Sequence, residues 1–387
     1  MDYNKLIPER ISSMKPSGIR RFFDIAQTVK GVISLSVGEP DFKTPWEARK
    51  EAINILERGK TAYTANSGLM ELRKAVCGYL KGFIHTEYDP ETEVIITVGG
   101  SEAIDLAVRA LIEDGDEVLV PEPSFVCYAP IVRMMGGVPV PIVTKAEDKF
   151  RLTAAALKEK ITPRTKLLFL PYPNNPTGAV MRRADLEAIA EVLRDTNIIV
   201  ASDEIYAEMT YNGEKHVSIA EIDGMRERTL VISGFSKTYA MTGWRLGYTA
   251  GPAPIIRQML KLHQYCIMSS PTVSQYAAIA AIHKCRADVE HMISEYDMRR
   301  RLCVKNFNDM GLECFEPEGA FYVFPCIKST GMTSEEFCQK LVFEKKVAVV
   351  PGNAFGESGE GFVRVSYAYS VAHLESAFTR IREFIGK

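Results

Sequence analysis

Between residues 93 and 234 the sequence alternates short apolar runs with amphipathic stretches, and that alternation limits the fold more than any other feature. EVIITV (93–98) reads as a strand, SEAIDLAVRALIED as a helix, EVLVP and VPVPIV as strands, KLLFLP (166–171) as a strand and DLEAIAEVLRDT as a helix; NIIVAS (197–202) and TLVISG (229–234) read as further strands. A chain that keeps returning from helix to strand builds a mostly parallel sheet covered on both faces, an α/β fold. Ligands of such sheets bind beyond the carboxyl ends of the strands. The unusual residues of this sequence fall at those ends.

After about residue 280 the texture changes to a long charged amphipathic stretch, ADVEHMISEYDMRRRLCVKNFNDMG, followed by the strand-like runs GAFYVFP, VAVVPG and FVRVSYA and a closing helix, HLESAFTRIREFIG. At 387 residues the chain exceeds one ordinary core. The expected organisation is a large domain over 46–280 and a smaller α+β domain built from 1–45 and 281–387, with the cleft between them as the default site. The first 40 or so residues, ending in VISLSVGEPDF, should pack against the terminal domain, because one short strand cannot stand alone.

Net charge is -2 with acids and bases interspersed, which leaves no basic face for nucleic acid. No apolar run approaches the roughly 20 residues that span a bilayer, and MDYNKLIPERISSMK lacks the apolar core of a signal peptide, so a cytoplasmic protein acting on small molecules is expected. The eight cysteines (77, 127, 266, 285, 303, 314, 326 and 338) are scattered singly and read as reduced core thiols, with neither a disulfide framework nor a metal site.

SGFSKTYAMTGWRLGY (233–248) sets Lys237 directly after an apolar strand, among Ser233, Gly234 and Ser236, with Arg245 eight places on. Most lysines are solvated surface groups. One at a buried strand end, beside small residues that let a ligand approach the backbone, has another use. Lysine forms a Schiff base with the aldehyde of pyridoxal phosphate, and arginine holds a phosphate through paired N–H donors. Such a cofactor needs a carboxylate at its ring nitrogen. Asp203 in SDEIY offers one and Tyr206 could donate to the phenolic oxygen, although taken alone Asp203 reads first as an ordinary helix cap. In YPNNPTG (172–178) the prolines and Gly178 make a rigid turn that needs no function, yet Asn175 faces the same rim. In VGGSEAI (98–104), Gly100 and Ser101 open a helix whose free N–H groups suit a phosphate, while Ser101 also reads as a plain cap. Phe125 in PEPSFVCY is as good a core aromatic as a ring that covers a flat cofactor.

Together these segments resemble the fold-type I pyridoxal-phosphate enzymes, in particular the class I aminotransferases of the aspartate-aminotransferase superfamily, gamma subgroup. PNNPTG, SDEIY and the lysine motif stand in the family's order, and the similarity runs from SGIRRFFDIA and SVGEPDFKTP to GNAFG and GFVRVSYA. The chain is most similar to the archaeal-type aromatic aminotransferases and the bacterial N-acetyl-diaminopimelate aminotransferases. The resemblance implies a transaminase with pyridoxal 5'-phosphate, in which Lys237 binds the aldehyde, Asp203 meets the ring nitrogen, and Tyr206 and Asn175 meet the phenolic oxygen. It assigns the phosphate to Gly100, Ser101, Ser236 and Arg245, the ring face to Phe125, and the substrate α-carboxylate to Arg364 with Gly38 beside it. It implies that Tyr63 in AYTANSG reaches the phosphate of a neighbouring subunit, making a homodimer with shared sites.

Two departures bear on these expectations. Some family members hold the phosphate with a serine three residues before the lysine; Gly234 stands there, leaving Ser236 or Ser233. Aspartate-specific members of the subgroup often carry a lysine after the paired glycines, where this chain has Ser101, which favours an aromatic or other non-aspartate L-amino acid as donor and a 2-oxo acid such as 2-oxoglutarate as acceptor. The alternatives are aspartate transamination and carbon–sulfur β-elimination on the same fold. A regulator carrying such a domain would need a DNA-binding extension, whereas the family pattern begins almost at once. A nicotinamide dehydrogenase would need a GxGxxG after the first strand, and none follows it.

Overall fold

The computed structural model describes residues 1–387 except 2, 15, 17, 19–27 and 387; of SGIRRFFDIA only Gly18 lies among the described residues. After β1 (Ile33–Ser34) come the strands of the main sheet: β2 (Val94–Thr97), β3 (Glu117–Glu122), β4 (Val138–Val143), β5 (Thr165–Leu170), β6 (Ile199–Asp203), β7 (Thr229–Gly234) and β8 (Gly247–Ala250). These seven lie in the order β2-β8-β7-β6-β5-β3-β4. Six run in one direction and β8 alone is antiparallel to its neighbours β2 and β7.

The apolar runs read as strands because both faces are covered. Leu168 and Leu170 of β5 join one cluster with Leu186 and Ile189 of the helix Arg183–Leu193. Leu167 and Phe169 turn the other way, to Ile104 and Val108 of the helix Gly100–Leu111. Alternate residues of one strand thus feed opposite cores, as the two-residue period of a strand requires.

The reading from sequence did not include β8. GYTA is short and begins with glycine, and its antiparallel insertion is set by the neighbouring strands rather than by its own propensity. An ideal Cβ on Gly247 would stand 2.6 Å from the carbonyl carbon of Gly99 and 2.7 Å from the amide of Gly100. Glycine is therefore what lets the turn before the helix Gly100–Leu111 lie against β8.

The terminal part carries β9 (Tyr322–Val323), β10 (Val347–Ala348), β11 (Val350–Pro351) and β12 (Val363–Ser366). β11, β12 and β9 form an antiparallel sheet with β12 in the middle. β1 pairs with β10 in parallel, Ile33 against Val347, so this early strand does find its partner near the other end of the chain. The charged amphipathic stretch is one helix, Arg286–Asp309, and the closing helix is Val371–Phe384. One apolar cluster joins Leu35, Val289, Phe307, Val347 and Phe378 to Val94 and Val231 of the main sheet. All eight cysteines are free; Cys266, at the end of the helix Ala253–Cys266, is exposed and so departs from the expectation of core thiols. Among the described residues no helix is long and apolar enough to cross a membrane.

Replacing Gly247 with alanine should force β8 and the Gly99–Gly100 turn apart, with a loss of about 1–3 kcal/mol in unfolding free energy, the usual cost of overpacking a tight contact. Chemical denaturation of the variant beside the parent measures this; an unchanged midpoint would refute the close approach.

Candidate active site

Because six strands point the same way, the segments after β2, β5, β6 and β7 meet at one rim, over a pocket of about 280 Å³. Of the residues singled out from the sequence for cofactor or substrate, all line that pocket except Tyr63 and Ser233. Tyr63 is 82% exposed, outside it.

Lys237 follows β7 and its Nζ donates to the Gly38 carbonyl at 2.6 Å, between the rings of Tyr206 and Phe321 at 5.9 and 5.8 Å. Burial brings its pKa down to about 8; Arg364 and Arg245 push the same way, and Glu39 opposes them. Asp203 ends β6, buried, with Oδ2 accepting from the Tyr128 hydroxyl at 2.7 Å and Oδ1 from the Ile205 amide at 3.2 Å. Burial raises its pKa to about 6 against those two hydrogen bonds. The chain after Asp203 is a turn rather than a helix, so capping does not account for it.

In the PNNPTG turn the two asparagines divide the work. Asn174 binds the turn itself, its Oδ1 accepting from the amide of Thr177 at 3.2 Å and from its hydroxyl at 2.9 Å. Asn175 Oδ1 faces the pocket and accepts from Arg364 Nη1 at 2.9 Å. Arg364, on β12 and only 2% exposed, also donates through Nη2 to the Ser36 carbonyl, and its guanidinium lies over the rings of Tyr322 and Phe355 at 4.5 and 4.9 Å. Its Nε is buried without a hydrogen-bond partner, and among the described residues no carboxylate pairs with it. A buried guanidinium without a counter-ion is costly unless a ligand completes it.

The opposite end of the pocket is built for an anion. The helix Gly100–Leu111 has Gly99 as its cap, at φ 79° and with no side chain on the first amides. Ser101 is the second helical residue, not the cap. Arg245 adopts the left-handed conformation, φ 51°, and its guanidinium lies against the glycine turn: a Cβ on Gly99 would come within 2.8 Å of Nη2. Nη1 is held by the Thr242 carbonyl at 3.1 Å. Of the two serines left open by the sequence, Ser236 lines the pocket, while Ser233 donates to the Glu204 carbonyl at 3.2 Å. At Gly234 a Cβ would meet the Gly247 Cα at 3.0 Å, so no side chain fits there without displacement.

Two residues of the site were not singled out. Tyr128 holds Asp203, and Tyr322 hydrogen-bonds Tyr206, hydroxyl to hydroxyl, at 2.8 Å. Tyr128 closes the PEPSFVCY segment that supplied Phe125, which meets it edge-on at 6.2 Å, and Tyr322 lies in GAFYVFP. Neither signal separates these tyrosines from core aromatics.

The donor set fits pyridoxal phosphate. An amine with a lowered pKa, a buried carboxylate already held by two donors, an uncapped helix start beside an arginine, and an orphaned Nε on a second arginine match aldehyde, ring nitrogen, phosphate and substrate carboxylate in turn.

Comparison with known proteins agrees. The family model for aminotransferase class I and II matches residues 30–381. The chain is 47% identical over 379 residues to an aspartate aminotransferase of Pyrococcus abyssi, covering 97% of each chain, and 44% identical over 381 residues to aromatic-amino-acid aminotransferase 2 of Thermococcus litoralis, covering 98% of each. The crystal structure of an aromatic aminotransferase from Pyrococcus horikoshii superposes with a TM-score of 0.90 at 46% identity, over 94% of this chain and 98% of that one. The chain belongs to the class I and II aminotransferases.

Proposed function

We propose that this pyridoxal-phosphate-dependent transaminase moves the amino group of an aromatic or other non-aspartate L-amino acid to a 2-oxo acid such as 2-oxoglutarate. The cofactor, when bound, supplies an aldehyde for the amino group and a ring that withdraws electrons from the α-carbon. Asp203 keeps the ring nitrogen protonated, Tyr206 and Asn175 serve the phenolic oxygen, and Phe125 covers the ring. Gly100, Ser101, Ser236 and Arg245 hold the phosphate. Arg364 fixes the substrate's α-carboxylate beside Gly38, and Lys237 Nζ takes up the proton from the α-carbon.

One observation carries the choice of donor. Among the described residues lining the pocket the cations are Lys237, Arg245 and Arg364, each with a task, and none remains for a second carboxylate. Ser101, in the position where aspartate-specific members often have lysine, is exposed at the mouth. The residue division into 46–280 and 1–45 with 281–387 is supported by the segregation of the seven-stranded sheet from the antiparallel β11-β12-β9 sheet. A homodimer is supported by Tyr63, Tyr265, Ile267 and Met268, all exposed, with Asn66 Nδ2 donating to the Met268 carbonyl at 2.7 Å and so joining the segment of Tyr63 to the end of the helix Ala253–Cys266. Eight unpaired cysteines suit the reducing cytoplasm.

With 2-oxoglutarate as acceptor, L-phenylalanine or L-tyrosine should exceed L-aspartate in kcat/KM by at least about tenfold, the scale on which one unmatched polar group discriminates. Preference for aspartate would refute the donor assignment, and pyruvate release from cystathionine without any oxo acid would favour β-elimination.

Arg364→Lys keeps the charge but loses the two-pronged geometry, so kcat/KM for amino acids should fall by roughly one to two decades, the worth of a hydrogen bond to a charged group. Amines lacking a carboxylate should be spared. Equal losses on both classes would assign Arg364 a structural role instead.

Lys237 also leaves a signature in the cofactor-free protein. A lysine whose pKa falls from 10.5 to about 8 on folding opposes folding, fully below pH 8 and less and less as pH rises toward 10.5. Lys237→Met should therefore raise the melting temperature of the cofactor-free protein at pH 7, with the gain shrinking by pH 10. A gain that grows with pH would contradict the lowered pKa.

A further inference from the structure

Tyr322 touches three groups of the site without belonging to any of its sequence motifs. Its hydroxyl is 2.8 Å from that of Tyr206, its ring lies 4.5 Å beneath the Arg364 guanidinium, and it abuts Gly38, whose carbonyl holds Lys237. It is fully buried at the end of β9.

Two hydroxyls sharing one hydrogen bond must choose a direction, because each has one proton. If Tyr206 donated to Tyr322, its proton would be used up and nothing would remain to offer the cofactor's phenolic oxygen. If Tyr322 donates, Tyr206 accepts and its own proton is free to point into the pocket. We infer that Tyr322 is a positioning residue, which donates to Tyr206 and so directs the Tyr206 hydroxyl toward the cofactor while its ring supports the substrate-binding arginine. The inference rests on the reading of Tyr206 as the partner of the phenolic oxygen. The hydrogen bond itself allows either donor, and donation by Tyr322 is the arrangement that leaves the Tyr206 proton for the pocket. The ring and the hydroxyl therefore have separable duties.

The test uses the cofactor-loaded enzyme, with L-phenylalanine and 2-oxoglutarate for kinetics and a pH titration of the bound cofactor's absorbance. Tyr322→Phe keeps the ring and loses the hydroxyl. It should move the absorbance midpoint in the same direction as Tyr206→Phe but by less, and lower kcat by roughly 2- to 12-fold, the factor carried by one ordinary hydrogen bond, with KM for phenylalanine unchanged. Added to Tyr206→Phe, it should produce no further shift. Tyr322→Leu, which removes the ring as well, should in addition raise KM. A Tyr322→Phe enzyme with an unmoved midpoint, or one whose shift persists in the Tyr206→Phe background, overturns the inference while leaving the role of Tyr206 intact. A Tyr206→Phe enzyme with an unmoved midpoint removes that role, and the inference with it. An unchanged KM in Tyr322→Leu overturns the part assigned to the ring.

Discussion

The common direction of six strands is the constraint on which the site depends. It carries the segments that follow β2, β5, β6 and β7 to one edge of the sheet, although they are spread from Gly99 to Lys237 in sequence. β8 makes sense in the same terms. Being antiparallel, it begins at the rim where its neighbours end, so the residue leading into it, Arg245, arrives beside the Gly99–Gly100 turn only eight positions after Lys237. A parallel strand there would have needed a crossover of a dozen residues or more and would have placed its first residue at the far edge. The one reversed strand thus brings the second cation of the lysine motif to the glycine turn that opens the helix Gly100–Leu111.

Much of this was legible in the sequence because it is local. Strand period, the glycine turn and each of the motifs PNNPTG, SDEIY and the lysine segment are written within a few residues, and eleven of the residues singled out share one pocket. What could not be read is what depends on pairs remote in sequence. Tyr128 and Asp203 are 75 positions apart, Tyr206 and Tyr322 116, and Asn175 and Arg364 189. A buried tyrosine in PEPSFVCY or GAFYVFP looks the same whether it fills a core or holds a carboxylate. The choice between Ser233 and Ser236 was unreadable for a different reason: it turns on which face of the chain leaves β7, and Ser233 is spent on the Glu204 carbonyl.

The site is also where the molecule departs from ordinary folding rules. Burial drives the Lys237 and Asp203 pKa values toward each other, to about 8 and about 6, and leaves the Arg364 Nε with nothing to bind. Arg245 and Ala240, at φ 51° and 49°, occupy backbone conformations that a side chain disfavours. The buried charges oppose folding and are what a bound cofactor or substrate would relieve, while the two backbone conformations are a further cost to the fold. The apolar clusters on both sides of the sheet must offset them, and they do so with fully buried strands rather than with ion pairs at the site.

Chemistry at the pocket then depends less on which groups are present than on what holds them still. Four of the residues that would act on a ligand are fixed by one outside their own motif: Asp203 by Tyr128, Tyr206 by Tyr322, Lys237 by the Gly38 carbonyl and Arg364 by the Ser36 carbonyl. Gly38, from the segment after β1, holds Lys237 and Tyr322, from β9, holds Tyr206, so the terminal part of the chain grips groups that follow strands of the main sheet. Preorganised partners of this kind do their work before the ligand arrives, since a donor already aimed costs no rearrangement when charge develops. A motif transplanted without its holders would keep the lysine, the aspartate and the arginine but lose the directions in which they point.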